Sequence, residues 1–121
     1  MLATLEEATH VGTASLSYVE CRAAFARLER DGRIAKGKRA RVASRFDAFW
    51  GSVSVVEFTD KTMRRAADVA RKHALRSLDA VQLASAEAFT GDVEARFFTY
   101  DRRLWLAAER PGWVRTPSEE P

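Results

Sequence analysis

The sequence predicts an α/β protein: a mainly parallel sheet with helices covering both of its faces. Three observations carry that prediction. Short runs rich in β-branched and aromatic residues alternate with longer stretches of helical period, the pattern of strand–helix–strand units. Turn pairs or glycines close most of the helical stretches, at Asp31-Gly32, Gly51, Gly91 and Pro111-Gly112. The chain has 121 residues, 46% hydrophobic and 31% charged, which is enough for one buried core and too apolar for disorder. No apolar run approaches the roughly 20 residues of a membrane-spanning helix.

The elements follow in order. Residues 2–9 read as a helix and residues 10–14, His-Val-Gly-Thr-Ala, as a short strand. From Ser17 the period becomes helical: Tyr18, Cys21, Phe25 and Leu28 share one face, and Asp31-Gly32 ends the helix. A second helix from about Gly37 to Trp50 carries Val42, Phe46 and Phe49 on its apolar side. Residues 53–58 are rich in β-branched side chains and read as a strand. Thr59 or Asp60 caps the next helix, whose expected buried side is Met63, Ala66/Ala67, Ala70 and Ala74. Ser77 is a good cap for a helix over 78–89 whose alanines (80, 84, 86, 88) permit close packing. Residues 96–100 form an apolar strand, Asp101 caps a helix over 102–109, and residues 113–116 read as an edge strand. The expectation is one domain over 1–116 and a disordered tail over 117–121.

The net charge of +3 averages opposite segments. Residues 27–45 hold eight basic and two acidic side chains, and residues 61–76 hold six basic and one acidic. Residues 77–101 hold five acids against Arg96 alone. Such basic stretches can neutralise phosphates; on charge alone a solvated helix face is the simpler reading. The single cysteine, Cys21, excludes an intramolecular disulfide and a thiolate metal cluster. The first seven residues are acidic and lack a basic start, so a reduced, cytoplasmic setting is expected.

In open parallel sheets ligands bind at the carboxyl ends of the strands. Three acids map there. Asp101 directly follows strand 96–100, Glu20 lies in the first turn of the helix after strand 10–14, and Asp79 lies in the first turn of helix 78–89. Taken singly, each is explained by capping or by the helix dipole. Taken together, they are three carboxylates able to converge on one sheet edge.

The sequence resembles a known family in three successive blocks. These are residues 17–25, Ser-Tyr-Val-Glu-Cys-Arg-Ala-Ala-Phe; residues 75–86, Leu-Arg-Ser-Leu-Asp-Ala-Val-Gln-Leu-Ala-Ser-Ala; and residues 97–104, Phe-Phe-Thr-Tyr-Asp-Arg-Arg-Leu. They are similar, in order, to the motifs of PIN domains, most of all the VapC-type toxins of bacterial toxin–antitoxin pairs. The resemblance implies a PIN-like three-layer αβα fold and a metal-dependent endoribonuclease. By position it assigns Glu20, Asp79 and Asp101 as catalytic, metal-ligating acids and Thr99 as a supporting hydroxyl. Mg2+ or Mn2+ is the implied cofactor, since hard cations take oxygen ligands. Arg76, Arg102 and Arg103, nearest the acids in sequence, are the expected contacts to RNA. The implied partners are RNA, a cognate antitoxin protein and a second copy of the chain.

PIN domains open with a strand ending in Asp-x-Ser or Asp-x-Thr, whose aspartate is a metal ligand. The 121 residues carry no such strand, so an N-terminally truncated domain with three acids in place of four is expected, with weakened metal affinity and catalysis. The strands at 10–14 and 96–100 are then expected either to pair directly or to keep unpaired edges. The alternative to an enzyme is a PIN-like module that binds RNA or an antitoxin without cleaving. A nucleotide-binding protein is disfavoured because no Gly-rich phosphate loop occurs.

Overall fold

Small side chains set the packing of the second half of the chain. The structure is a computed structural model and describes residues 10–121, so the helix expected at 2–9 lies outside the described residues. The chain divides into two compact units, Met1–Val55 and Val56–Pro121, each described by itself.

In the first unit a short strand β1 (Gly12–Ala14) leads into helix α1 (Leu16–Arg30), then helix α2 (Lys36–Trp50), then strand β2 (Ser54–Val56), whose last residue begins the second unit. β1 pairs with β2, and Ser54 N–H donates to the Val11 carbonyl at 2.9 Å. The α1 terminus follows from Asp31-Gly32. Gly32 takes φ +69°, a left-handed conformation that lets the last carbonyls be satisfied, with Arg33 N–H on Leu28 O at 2.9 Å. The face predicted for α1 meets the aromatic side of α2. Tyr18 stacks on Phe46 with centroids 5.7 Å apart, and Phe25 meets Phe46 edge-on at 5.5 Å. Beside this seam Tyr18 Oη donates to Asp47 at 2.8 Å, and Arg22 reaches both. α1 itself buries no residue fully.

The second unit runs helix α3 (Asp60–His73), helix α4 (Ser77–Thr90), strand β3 (Ala95–Phe98), helix α5 (Arg102–Ala107) and strand β4 (Trp113–Thr116). Thr59 caps α3 by accepting from Thr62 N–H at 3.1 Å. The same hydroxyl also donates to Thr62 Oγ1, so Thr62 turns inward. The buried face is therefore Thr62, Ala66 and Val69, and the expectation for Met63, Ala67 and Ala74 is corrected: all three are exposed, Met63 at 51%. Ala74 ends α3 at φ +53°. Arg76, not Ser77, occupies the α4 cap position, and Ser77 is the first helical residue. Ala66 and Val69 of α3 join Ala80, Leu83 and Ala84 of α4 and Leu104, Ala107 and Ala108 in one apolar core. The alanines let the helices approach closely while Leu83 and Val69 fill the space between them.

β3 and β4 pair in parallel, with Ala95 opposite Trp113 and Phe98 opposite Thr116. Phe97 stacks on Trp113 with ring centroids 5.1 Å apart and the ring planes nearly parallel. The predicted alternation of strand and helix and the parallel pairing are both present, an α/β architecture. The described strands form two two-stranded sheets, β1 with β2 and β3 with β4. A disordered tail was expected at 117–121; Pro117 O accepts from Trp105 Nε1 at 2.8 Å, and Glu120 pairs with Arg102. Among the described residues no helix is long and apolar enough to cross a membrane.

Candidate active site

The carboxyl edge of the β3–β4 pair is built by backbone geometry. Thr99 continues the ladder, its N–H donating to Thr116 O at 3.0 Å. The Thr99 hydroxyl then turns back and accepts from Asp101 N–H at 3.0 Å. Asp101 is thereby fixed at the α5 cap, where its Oδ1 accepts from Leu104 N–H at 2.9 Å. One carboxylate oxygen is committed to the cap, and Oδ2 faces another partner.

That partner is Arg76. It caps α4 on extended backbone, φ −66° and ψ 158°, with its carbonyl accepting from Ala80 N–H at 2.9 Å. Nε donates to Asp79 Oδ2 at 3.0 Å, and Nη2 lies 3.7 Å from Asp101 Oδ2. One guanidinium therefore touches two of the sequence-predicted acids, which must face the same space. Asp79 is the more enclosed, 18% exposed at its side chain against 37% for Asp101 and 68% for Arg76. The α4 amino end adds partial positive charge on the same side.

The remaining predicted residues fall as follows. Glu20 lies on an exposed part of α1 in the first unit, where its charge and, more strongly, burial push the neighbouring Cys21 thiol up from its ordinary value. Arg102 pairs with Glu120, and Arg103 is exposed. Among the described residues no group of three His, Cys, Asp or Glu side chains is arranged as a metal site. The Asp79–Asp101 pair nonetheless fits a hard divalent cation: its oxygens already converge on a positive charge, and Mg2+ needs only one or two carboxylates beside waters and substrate phosphate.

Sequence reasoning did not find the engagement of Arg76 with the acids, although the Arg76/Asp79 spacing of three across a helix start signals it. It also missed an ionic group at the far end of α4. There Arg65 forks onto Glu87 at 2.7 and 3.2 Å, and Arg110 lies over the Trp113 ring. The group lines a cavity of about 340 Å³ with Lys72, His73 and Asp92. It sits about two turns along α4 from Asp79 and so is separate from the acid pair.

Comparison with known proteins bears on this edge. The family model described as PIN domain matches residues 1–109, a span that includes Glu20, Asp79, Thr99 and Asp101. Ribonuclease VapC45 of Mycobacterium tuberculosis (strain CDC 1551 / Oshkosh) is 36% identical over 104 residues, covering 86% of this chain and 72% of the relative. Ribonuclease VapC49 of Mycobacterium tuberculosis (strain ATCC 25618 / H37Rv) is 36% identical over the same shares of each chain.

Proposed function

The chain belongs to the PIN domain family, in its VapC-type branch, and on that premise we propose that it is a metal-dependent endoribonuclease hydrolysing phosphodiester bonds in RNA. The observation that carries the reading is the convergence of Asp79 and Asp101 on one cation at the carboxyl edge of the β3–β4 pair. Asp79 and Asp101 would hold the ion, Mg2+ or Mn2+, and Glu20 is the third acid that the family resemblance implies. When bound, such an ion acidifies a water and offsets charge developing on the phosphate.

The protein's own residues do the rest. Thr99 locks the Asp101 backbone, and the α5 cap locks its Oδ1, so Oδ2 keeps one direction without losing side-chain entropy at binding. Asp79 is held in the first turn of a helix whose core face is packed, which fixes its position relative to Asp101. Arg76, Arg102 and Arg103 supply positive charge for the RNA backbone. The same reading implies a cytoplasmic homodimer neutralised by a cognate antitoxin protein, for which the basic flanks of α1 and α2 offer an electrostatic match to an acidic segment.

The test is cleavage of RNA by the full chain. Cleavage with Mg2+ or Mn2+, loss in EDTA, and a drop of about tenfold or more for Glu20→Gln are expected. Cleavage unaffected by EDTA would overturn the metal dependence. RNA retained but uncut by the protein would favour a non-catalytic binding module.

A further inference from the structure

We propose that Arg76 is a resident counter-ion of the Asp79–Asp101 pair that must swing out before the pair takes a divalent cation, and so sets the metal affinity of the site. The proposal rests on the metal-site reading above and concerns what this chain's own residue does to that site.

The two contacts of the guanidinium are unequal. Nε holds Asp79 Oδ2 at 3.0 Å, a charge-assisted hydrogen bond, while Nη2 stands off Asp101 Oδ2 at 3.7 Å, an electrostatic contact only. The guanidinium therefore leans on the more enclosed acid and loosely spans to the other. Its side chain is far more exposed than that of Asp79, so it covers the acids from the solvent side. Rotation about its side-chain torsions leaves the backbone in place, so the guanidinium can swing away while Arg76 O keeps its bond from Ala80 N–H at 2.9 Å. Asp101 is held through Oδ1 at its cap, and the Asp79 backbone is fixed in the first turn of the packed helix α4.

Two like charges facing one space repel, and a cation between them relieves that repulsion. Arg76 does so when no metal is present. A divalent ion does so with twice the charge, and to reach Oδ2 of both acids it must displace the guanidinium. An exposed ion pair of this kind is weak, worth at most a few-fold in an equilibrium, so the latch tunes affinity without blocking it. Once displaced, the guanidinium stays tethered next to the site with its donors released, placed to take a phosphate oxygen. The RNA-contact role expected for Arg76 and the observed acid contact then become two positions of one side chain.

The experiment is calorimetric titration of Mn2+ alone into the full-length wild type, Arg76→Gln, Arg76→Lys and Asp79→Asn, with thermal melts confirming that each is folded. Arg76→Gln is expected to bind Mn2+ about two- to fivefold more tightly than wild type. Arg76→Lys keeps the charge and is expected to stay near wild type, and Asp79→Asn to weaken binding. Arg76→Gln equal to or weaker than wild type, with Asp79→Asn still weakened, would overturn the latch and leave the metal site standing. Failure of both wild type and Arg76→Gln to bind Mn2+ at millimolar concentration would overturn the site and the latch together.

Discussion

The two units of this chain are built from similar helix pairs and hold them together differently. α3 and α4 meet through alanines, with Val69 and Leu83 almost wholly buried between them, and α5 and the β3–β4 pair extend the same core. α1 and α2 meet through half-buried aromatic rings and a polar cluster of Tyr18, Arg22 and Asp47; among the described residues of that unit only Ala14 and Ala43 are buried. The difference teaches where precision resides. Close packing of small residues holds Asp79 and Asp101 in fixed relation, which a cation site needs. A seam of partly exposed rings and basic flanks holds nothing to that tolerance and suits a surface that meets a partner.

The sharpest way to break this contrast is to remove matched side chains. Leu83→Ala, at 2% exposure, should cost about 2–5 kcal/mol in denaturant unfolding. Phe49→Ala in α2, at 42% exposure, should cost less than about 1.5 kcal/mol despite losing more atoms. Equal costs would erase the distinction. Hydrogen exchange should agree, with amides of α3 and α4 protected well beyond those of α1 and α2. Next comes the cap. Asp101→Ala should destabilise by about 1 kcal/mol relative to Asp101→Asn, because Asn keeps the acceptor for Leu104 N–H and loses only the charge.

The end of α3 gives a smaller effect. Ala74 sits at φ +53°, where a β-carbon is strained, so Ala74→Gly should raise stability by up to about 1 kcal/mol in spite of the added chain entropy. The smallest effect concerns Cys21. Burial, and secondarily Glu20, raises its thiol pKa in the folded state, so folding favours the neutral form. The contribution is intact below the ordinary thiol range and is lost as pH rises through the raised folded value. Melts at pH 8 and pH 10 should therefore show a larger loss for wild type than for Cys21→Ala.

Much of the architecture was legible because its signals are local. Glycine and the Asp101 cap marked helix ends, and β-branched or aromatic runs marked strands, so all nine described elements lie close to their expected positions. The inward turn of Thr62 was not legible, since it depends on a reciprocal cap hydrogen bond that outweighs side-chain hydropathy. At the candidate site, the expectation that Asp79 and Asp101 share one sheet edge rests on their places at a helix start and after a strand. The guanidinium between them was not legible, because it depends on an extended φ/ψ at Arg76 that the helix signal at Ser77 conceals. The hold on the tail by Trp105 and Arg102 was likewise hidden, being set by tertiary packing rather than by composition.

The central claim is that Asp79 and Asp101 serve one cation and so act as a unit in catalysis. A double-mutant cycle on single-turnover RNA cleavage in saturating Mn2+ tests it directly. Asp79→Asn and Asp101→Asn should each lower the rate by about 100-fold or more, and the double variant should be little worse than either alone, as for groups that work together. Losses that multiply in the double variant, or a single variant with unchanged rate, would contradict it.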